Sequence, residues 1–294
     1  MPKDPSAQSY RQLLDDATQI LYDGSSTPRI DSEVLLQAVT DRPLSWVIAY
    51  AETLATAEHT RAFFDLVEKR QQGQPIAYLL NYKDFWTLRL KVNTHVLIPR
   101  SDTETLIEHA LQKLPADALS HVLDLGTGSG AIALSIAKER PNAQVLATDY
   151  QAKALEVAKN NAAYNEVRNV QFLHSDWFSS IAVDKKFDLI ASNPPYVAIG
   201  DPHLAQGDLR FEPDSALISG GDGLHDLEKV IQGSVNHLLP SAWLIVEHGY
   251  NQAREVAQLF SSAGYINIEL CKDINDLPRC TIGQYPANSN SIAT

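Results

Sequence analysis

From about residue 100 onward the chain repeats one unit, a short apolar run followed by a turn and a stretch with helical period. His121–Leu125, Gln144–Thr148, Val170–His174, Phe187–Ser192, Trp243–Glu247 and Tyr265–Leu270 read as strands. Thr103–Leu114, Ala131–Glu139, Ala152–Tyr164, Asp226–Leu238 and Gln252–Ala263 read as helices around them. Strands separated by helices cannot close as hairpins, so each crossover returns the chain in the same direction and with one hand. The expected fold class is therefore α/β, a doubly wound, Rossmann-like parallel sheet with helices on both faces. At 294 residues and 44% hydrophobic, the chain fills such a core and leaves residues for a second, smaller domain.

That domain precedes the alternation. Tyr10–Tyr22 has apolar groups three and four apart and stops at Gly24. Asp31–Val39 reads as a second helix, with Asp31 as N-cap and Val34, Leu35, Ala38 and Val39 on one face. Thr56–Gln72 reads as a third, ended by Gly73 and Pro75. Residues 1–74 are expected to form a small helical domain. Asp84–Val92 then partly alternates, and Asn93-Thr94 signals a turn before Val96–Ile98, so residues 75–100 are expected to be a β-hairpin connector. The α/β domain is expected over 101–294.

The first strand of the alternation runs into Gly126-Thr127-Gly128-Ser129-Gly130 and then an apolar helix. Glycines let the backbone turn tightly and approach a ligand with no Cβ between, and the helix N-terminus adds unpaired N–H donors. Gly126, Gly128 and Ala131 also satisfy the dinucleotide fingerprint, so the loop alone does not choose a ligand. The next strand ends in Asp149, whose carboxylate suits the two hydroxyls of a ribose. The strand after ends at Asp176-Trp177, an acceptor for an adenine amine and a flat face for a purine. A nicotinamide dinucleotide and S-adenosylmethionine both carry adenosine, and both remain open at this point.

The fourth strand of the series stops on Asn193-Pro194-Pro195-Tyr196. The Asn193 side chain offers a carbonyl acceptor, and Pro194 fixes its own φ and keeps Asn193 extended. Neither proline has an N–H, so carbonyl acceptors predominate, and Tyr196 adds an aromatic face. Two oxygens and a π-surface make a cradle for a planar NH₂ group, which hydride transfer does not need and nitrogen methylation does.

NPPY after a GxGxG loop resembles the S-adenosylmethionine-dependent N-methyltransferases. Pro75–Leu79, Asp84-Phe85-Trp86, Leu97–Glu104, Gly207–Pro213, Gly221–Leu224 and Glu247-His248-Gly249 further resemble one family, the peptide chain release factor glutamine N5-methyltransferases. Asn81 stands where that family's pattern leads one to expect glycine, and Ser101 where it has proline. The resemblance implies a class I methyltransferase sheet and S-adenosylmethionine as cofactor, held by Gly126, Thr127, Gly128, Ser129, Gly130, Asp149, Asp176, Trp177 and Asn193. It implies methylation of the glutamine amide in the GGQ motif of class I release factors. Asn193, Pro194 and Tyr196 would be catalytic, and Asn193, Pro194, Pro195 and Tyr196 would bind the substrate. No general base is evident, so the proton is expected to leave to water after transfer. The helical domain is expected to recognise the release factor, and Arg100 and the Asp208–Pro213 loop are further candidates.

The same acceptors would suit an exocyclic amine of a DNA or RNA base, the alternative reading. A net charge of −12 and the lack of a basic stripe oppose direct nucleic-acid binding. No apolar run approaches the ~18 residues of a membrane span, and the N-terminal residues have no apolar leader segment. Two cysteines and scattered histidines give no metal-ligand spacing. A cytoplasmic monomer without metal is the expectation.

Overall fold

The computed structural model describes residues 8–287. The outer ends of the first and last expected domains, and the leader-free reading of the first seven residues, lie outside the described residues. Among the described residues two compact units emerge, residues 8–81 with Ala205–Phe211, and Tyr82–Leu204 with residues 212–287.

In the first unit, α1 (Tyr10–Ile20) opens on a capping box in which Ser9 and Gln12 each accept the other's backbone N–H. α2 runs Pro28–Thr40, starting earlier than expected because Pro28 suits the first helical turn, where no N–H is needed. Asp31 is therefore not a cap. It is buried, accepts from the Ser25 and Thr27 hydroxyls, and pairs with Arg70 at 2.7 Å. The buried face of α2 is Asp31, Ser32, Leu35, Leu36 and Thr40, whereas Ala38 is exposed and Val34 and Val39 are half-buried. α3 (Leu44–Ala49) and α5 (Ile76–Leu80) are too short for a helical period to register in sequence. α4 (Ala57–Gln71) is capped by the Thr56 hydroxyl. Leu13, Leu35, Leu36, Phe63 and Val67 form the core, and Ile76, Leu79 and Leu80 pack on it, so the expected connector begins as a helix of this unit. Asn81 ends α5 at φ 62°, the left-handed conformation for which glycine is expected and which asparagine tolerates. Ala205–Phe211 belongs here too, although its sequence position lies inside the α/β domain. Asp208 pairs with Arg70 at 2.9 Å, and Arg210 donates to the Gln72 carbonyl across the open face of Gly73.

The second unit begins with a hairpin, β1 (Tyr82–Phe85) and β2 (Leu88–Lys91). Its turn is Trp86-Thr87, with Trp86 at φ 54°. The expected turn at Asn93-Thr94 is also present, the Val96 N–H donating to the Asn93 carbonyl at 3.1 Å, but it is a separate turn and Val96–Ile98 forms no strand. The inward-facing Phe85, Leu88 and Leu90 set this register by packing on Ile107 and Leu134. The free edge of β2 is closed by the helix α8 (Ala152–Tyr164). The Asn161 amide accepts from the Lys91 N–H at 2.7 Å and donates to the Lys91 carbonyl at 3.0 Å. Asn165, one turn on, makes the same pair of bonds to Arg89. Two side-chain amides thus stand in for a missing strand.

The main sheet contains β3 (His121–Leu125), β4 (Gln144–Asp149), β5 (Val170–His174), β6 (Phe187–Ser192), β7 (Leu238–Glu247), β8 (Ile266–Lys272) and β9 (Pro278–Gln284) in the order β5-β4-β3-β6-β7-β9-β8. β3 to β7 pair in parallel, while β9 runs antiparallel to both neighbours. β9 departs from the expected all-parallel sheet; its proline and glycine hide it in sequence. α6 (Thr103–Lys113), α7 (Ala131–Glu139), α8, α10 (His225–Ser234) and α11 (Ala253–Ser262) supply the helical layers, with a single turn, α9 (Asp214–Leu217), between β6 and α10. α10 ends before the expected Leu238 because that residue pairs with Phe187 as the start of β7. Val122, Val145, Leu189 and Ile245 pack into one core layer, and Leu123, Ile190, Leu244 and Val246 into the other, so both sheet faces are dry. Among the described residues no helix is long and apolar enough to cross a membrane.

Candidate active site

Strand register assembles the site. Leu125 lies opposite both Thr148 and Ser192, Ser192 opposite Val246, and Asp149 opposite His174. One step further along each strand, Asp149, Gly126, Asn193 and Glu247 fall in a single row at the carboxyl edge. The chain moves outward through β4 and β5 and returns on the other side of β3 at β6, so this row spans the switch point where open α/β sheets bind ligands. Two cavities adjoin there. Thr103, Gly128 and Asn193 line the first, Tyr150, Asp176 and Trp177 the second, and Asp149, Gln151, Pro195 and Ser215 line both.

The loop glycines Gly126, Gly128 and Gly130 all have positive φ, at 73°, 55° and 88°. At Gly128 no described residue other than its two chain neighbours comes within 4 Å of where a Cβ would stand, and the open space adjoins the cavity. At Gly130 the Leu134 side chain is 2.9 Å from that point, so this glycine serves helix packing. Thr127 is buried; its N–H donates to Thr148 at 2.8 Å and its hydroxyl to Asp124 Oδ2 at 2.6 Å. Burial pushes the Asp124 carboxyl up to about 7, and among the described residues its Oδ1 has no hydrogen-bond partner. The buried Ser129 gives its carbonyl to Asn161 at 2.8 Å, which ties the loop to the edge of β2.

Asp149 accepts the Gly128 N–H on Oδ2 and the Gln151 N–H on Oδ1, each at 2.8 Å. Each oxygen keeps a lone pair. Burial raises this carboxyl above its ordinary value. Asp176 is exposed, and Trp177 is half-buried at φ 47°, its indole 3.7 Å from the Cβ position of Gly126.

At the end of β6 the Asn193 Nδ2 donates to the Thr103 hydroxyl at 3.3 Å. Among the described residues no donor reaches Asn193 Oδ1 or the Pro194 carbonyl. Asn193 and Pro195 line the cavities; Pro194 and Tyr196 line neither. The Tyr196 ring instead packs into the core, with its hydroxyl 3.4 Å from Glu247 Oε1. Burial raises the Tyr196 phenol well above its ordinary value, and the Glu247 charge adds to this. The Tyr196 carbonyl accepts from Gln252 at 3.0 Å, and Gln252 accepts the Gly249 N–H at 2.9 Å. A Cβ on Gly223 would stand 2.4 Å from the Tyr196 carbonyl. The segments Gly221–Leu224 and Glu247–Gly249 are therefore buttresses of the NPPY turn. Arg100 pairs with the buried Glu212, which also accepts the Ile98 N–H at 3.0 Å, so Arg100 braces a loop and lines neither cavity.

Thr103 and Glu247 were not among the site residues expected from sequence, although they lie inside the segments Leu97–Glu104 and Glu247–Gly249 that carry the resemblance. Glu247 is fully buried at the end of β7, and burial pushes its carboxyl up to about 7, against the opposing pull of Thr103 and Arg279. A carboxylate closing an apolar strand is the signal that could have found it.

The PrmC N-terminal domain family matches residues 12–80, and the Methyltransferase small domain family matches residues 102–221. A release factor glutamine methyltransferase of Aliivibrio fischeri is 44% identical over 278 residues, which cover 94% of this chain and 98% of that protein. One of Escherichia coli is 43% identical over 276 residues, covering 94% of this chain and 99% of that protein. A crystal structure of a methyltransferase from Pyrococcus furiosus shares the fold with a TM-score of 0.51 at 17% identity, over 74% of this chain and 97% of that one. Identity of this level, sustained over nearly the whole of both proteins and through both domains, means that the chain belongs to the release factor glutamine methyltransferase family.

Proposed function

We propose that this chain transfers a methyl group from S-adenosylmethionine to the side-chain amide nitrogen, N5, of the glutamine in the GGQ motif of class I peptide chain release factors. One observation carries the catalytic reading. The Asn193 Nδ2 is engaged by Thr103, which leaves Oδ1 unengaged at the cavity wall, one residue from a free Pro194 carbonyl.

The residues fit S-adenosylmethionine. Gly126 to Gly130 give a backbone approach with open space at Gly128, and Asp149 keeps one lone pair per oxygen for vicinal hydroxyls. Trp177 offers a flat apolar face and Asp176 an acceptor at the exposed rim. S-adenosylmethionine, when bound, supplies an electrophilic sulfonium methyl group. The nucleophile is poor, because an amide nitrogen delocalises its lone pair into the carbonyl. Asn193 Oδ1 would accept one of its hydrogens at the cavity wall, and the adjoining Pro194 carbonyl, on a residue that lines neither cavity, is assigned the other by the family resemblance; such placement contributes about 7–11 kcal/mol at best. The same dipoles favour positive charge developing on that nitrogen. Tyr196 keeps the turn rigid through Glu247 and Gln252. Neither Tyr196 nor Glu247 lines the cavities, so the proton leaves to water.

Residues 1–74 are assigned to recognition of the release factor, and a cytoplasmic monomer that makes no nucleic-acid contact is consistent with a net charge of −12. The test is incubation of a purified release factor with the enzyme and labelled methyl donor, followed by mass spectrometry of the GGQ peptide. Wild type should place one methyl on the glutamine amide. Asn193→Ala should bind donor within about threefold of wild type and turn over at least ~100-fold more slowly. Label entering an oligonucleotide and not the release factor would move the reading to a base amino-methyltransferase.

A further inference from the structure

Asn193 has an amide whose oxygen and nitrogen ends are nearly the same shape, and only the oxygen end can receive a substrate N–H. Nothing in NPPY itself chooses between them, since both prolines lack N–H donors. The choice is made from outside the motif. Thr103, buried at the first position of α6, lines the same cavity as Asn193 and has its hydroxyl 3.3 Å from Asn193 Nδ2. A hydroxyl can donate or accept, so it fixes the amide only if its own proton is committed elsewhere. Glu247 provides the commitment. Its buried carboxyl group stands near Thr103, and among the described residues its Oε2 has no hydrogen-bond partner, so an acceptor for the Thr103 hydroxyl proton is available. With the hydroxyl proton drawn to that carboxylate, only oxygen lone pairs face Asn193, and only the NH₂ end can meet them.

The arrangement is anchored on both sides. Arg279 on β9 pairs at 3.0 Å with Asp102, the residue before Thr103, and at 3.0 Å with Asp273. β9 pairs with β7 so that Cys280 lies opposite Glu247. The N-terminus of α6 is thereby fixed to the strand that carries the carboxylate. Thr103 is also β-branched, which restricts the directions its hydroxyl can take.

We infer that Thr103 is a positioning residue of the transfer, its hydroxyl, polarised by Glu247, holding the Asn193 amide so that Oδ1 and not Nδ2 faces the substrate. This rests on the reading of Asn193 as the substrate acceptor. Without the Thr103 hydroxyl the amide samples both orientations, and the wrong one sets NH₂ against NH₂. Substrate docking over a larger surface changes little, whereas the fraction of productive complexes falls.

The test compares wild type, Thr103→Val, Thr103→Ser, Asn193→Ala and the double variant Thr103→Val/Asn193→Ala in release factor methylation, with methyl-donor affinity measured by calorimetry. Thr103→Val is expected to lower kcat by roughly 10- to 100-fold, with KM and donor Kd within about threefold of wild type. Thr103→Ser, which keeps the hydroxyl, should stay within about threefold. The double variant should be no slower than Asn193→Ala alone, because residues that act as one unit do not add. Should Thr103→Val fail to melt cooperatively, Thr103→Ala removes the same hydroxyl with no risk of overpacking. Normal turnover of the hydroxyl-free variant, an equal loss in Thr103→Ser, or additive losses in the double variant would each overturn the inference while leaving Asn193 as acceptor. Normal turnover of Asn193→Ala would instead remove the acceptor reading, and this inference with it.

Discussion

The replacement Gly128→Ala separates ligand binding from folding more cleanly than any other in the glycine loop. Gly128 sits at φ 55°, close to the left-handed minimum near +57°, which costs an alanine about 1–2 kcal/mol. Apart from Thr127 and Ser129 beside it, no described residue comes within 4 Å of the new methyl group, so no packing clash is added. A loss of that size lowers Tm by roughly 2–4 °C per kcal/mol in a domain of this size. The methyl group would stand in the cavity, however, where overpacking against a bound ligand costs about 1–3 kcal/mol. At ~1.4 kcal/mol per factor of ten, affinity for S-adenosylmethionine falls roughly 5- to 150-fold. Gly130→Ala is the control, because its methyl would meet Leu134 at 2.9 Å and Ala158 at 3.3 Å and should reduce stability more than binding by the folded fraction. Thermal melts and titration calorimetry with the methyl donor read the two quantities separately. Gly128→Ala folding normally and binding the donor within about twofold of wild type would refute the placement of the cofactor on this loop.

Asn161→Ala strips partners from both part-buried backbone groups of Lys91 and from the buried Ser129 carbonyl; the buried group left unpaired costs about 1–3 kcal/mol and the part-buried ones less. Urea unfolding should show a loss of several kcal/mol, larger than for Asn165→Ala, whose bonds to Arg89 are exposed; equal losses would contradict the edge-closing role. Glu247 carries a pH signature. Its folded carboxyl is raised from 4.5 to about 7, so the native state binds the proton more tightly than the unfolded chain. The associated stability is fully present below about 4.5 and is lost as pH rises through 7, up to roughly 3 kcal/mol. Tyr196, Asp102 and Arg279 face this carboxyl and stay in place in Glu247→Gln, which should melt with a flatter pH dependence between 5 and 8 than wild type. Parallel profiles for the two proteins would show that the group does not titrate there.

The alternation of strands and helices after residue 100, the glycine loop, the Asp149 carboxylate and the strand-ending NPPY were all legible because each is written locally. Apolar periods of two and 3.6, and the φ preferences of glycine and proline, act over a few neighbouring residues. Parallel register then places successive strand ends in one row, so Gly126, Asp149 and Asn193 meet without any further instruction. What the sequence could not disclose depends on partners far along the chain. Asp31 looks like a helix cap until Arg70 and Pro28 are seen to make it a buried ion-pair partner. β9 looks like a loop until β7 and β8 supply its hydrogen bonds, and Asn161 looks like an ordinary polar helix residue until the edge of β2 lies beside it. The link from Asn193 to Thr103 joins residues 90 apart and that from Tyr196 to Glu247 residues 51 apart. A hydrogen bond is directional and short-ranged, so which amide end faces outward is decided only when the tertiary fold brings its partner within reach.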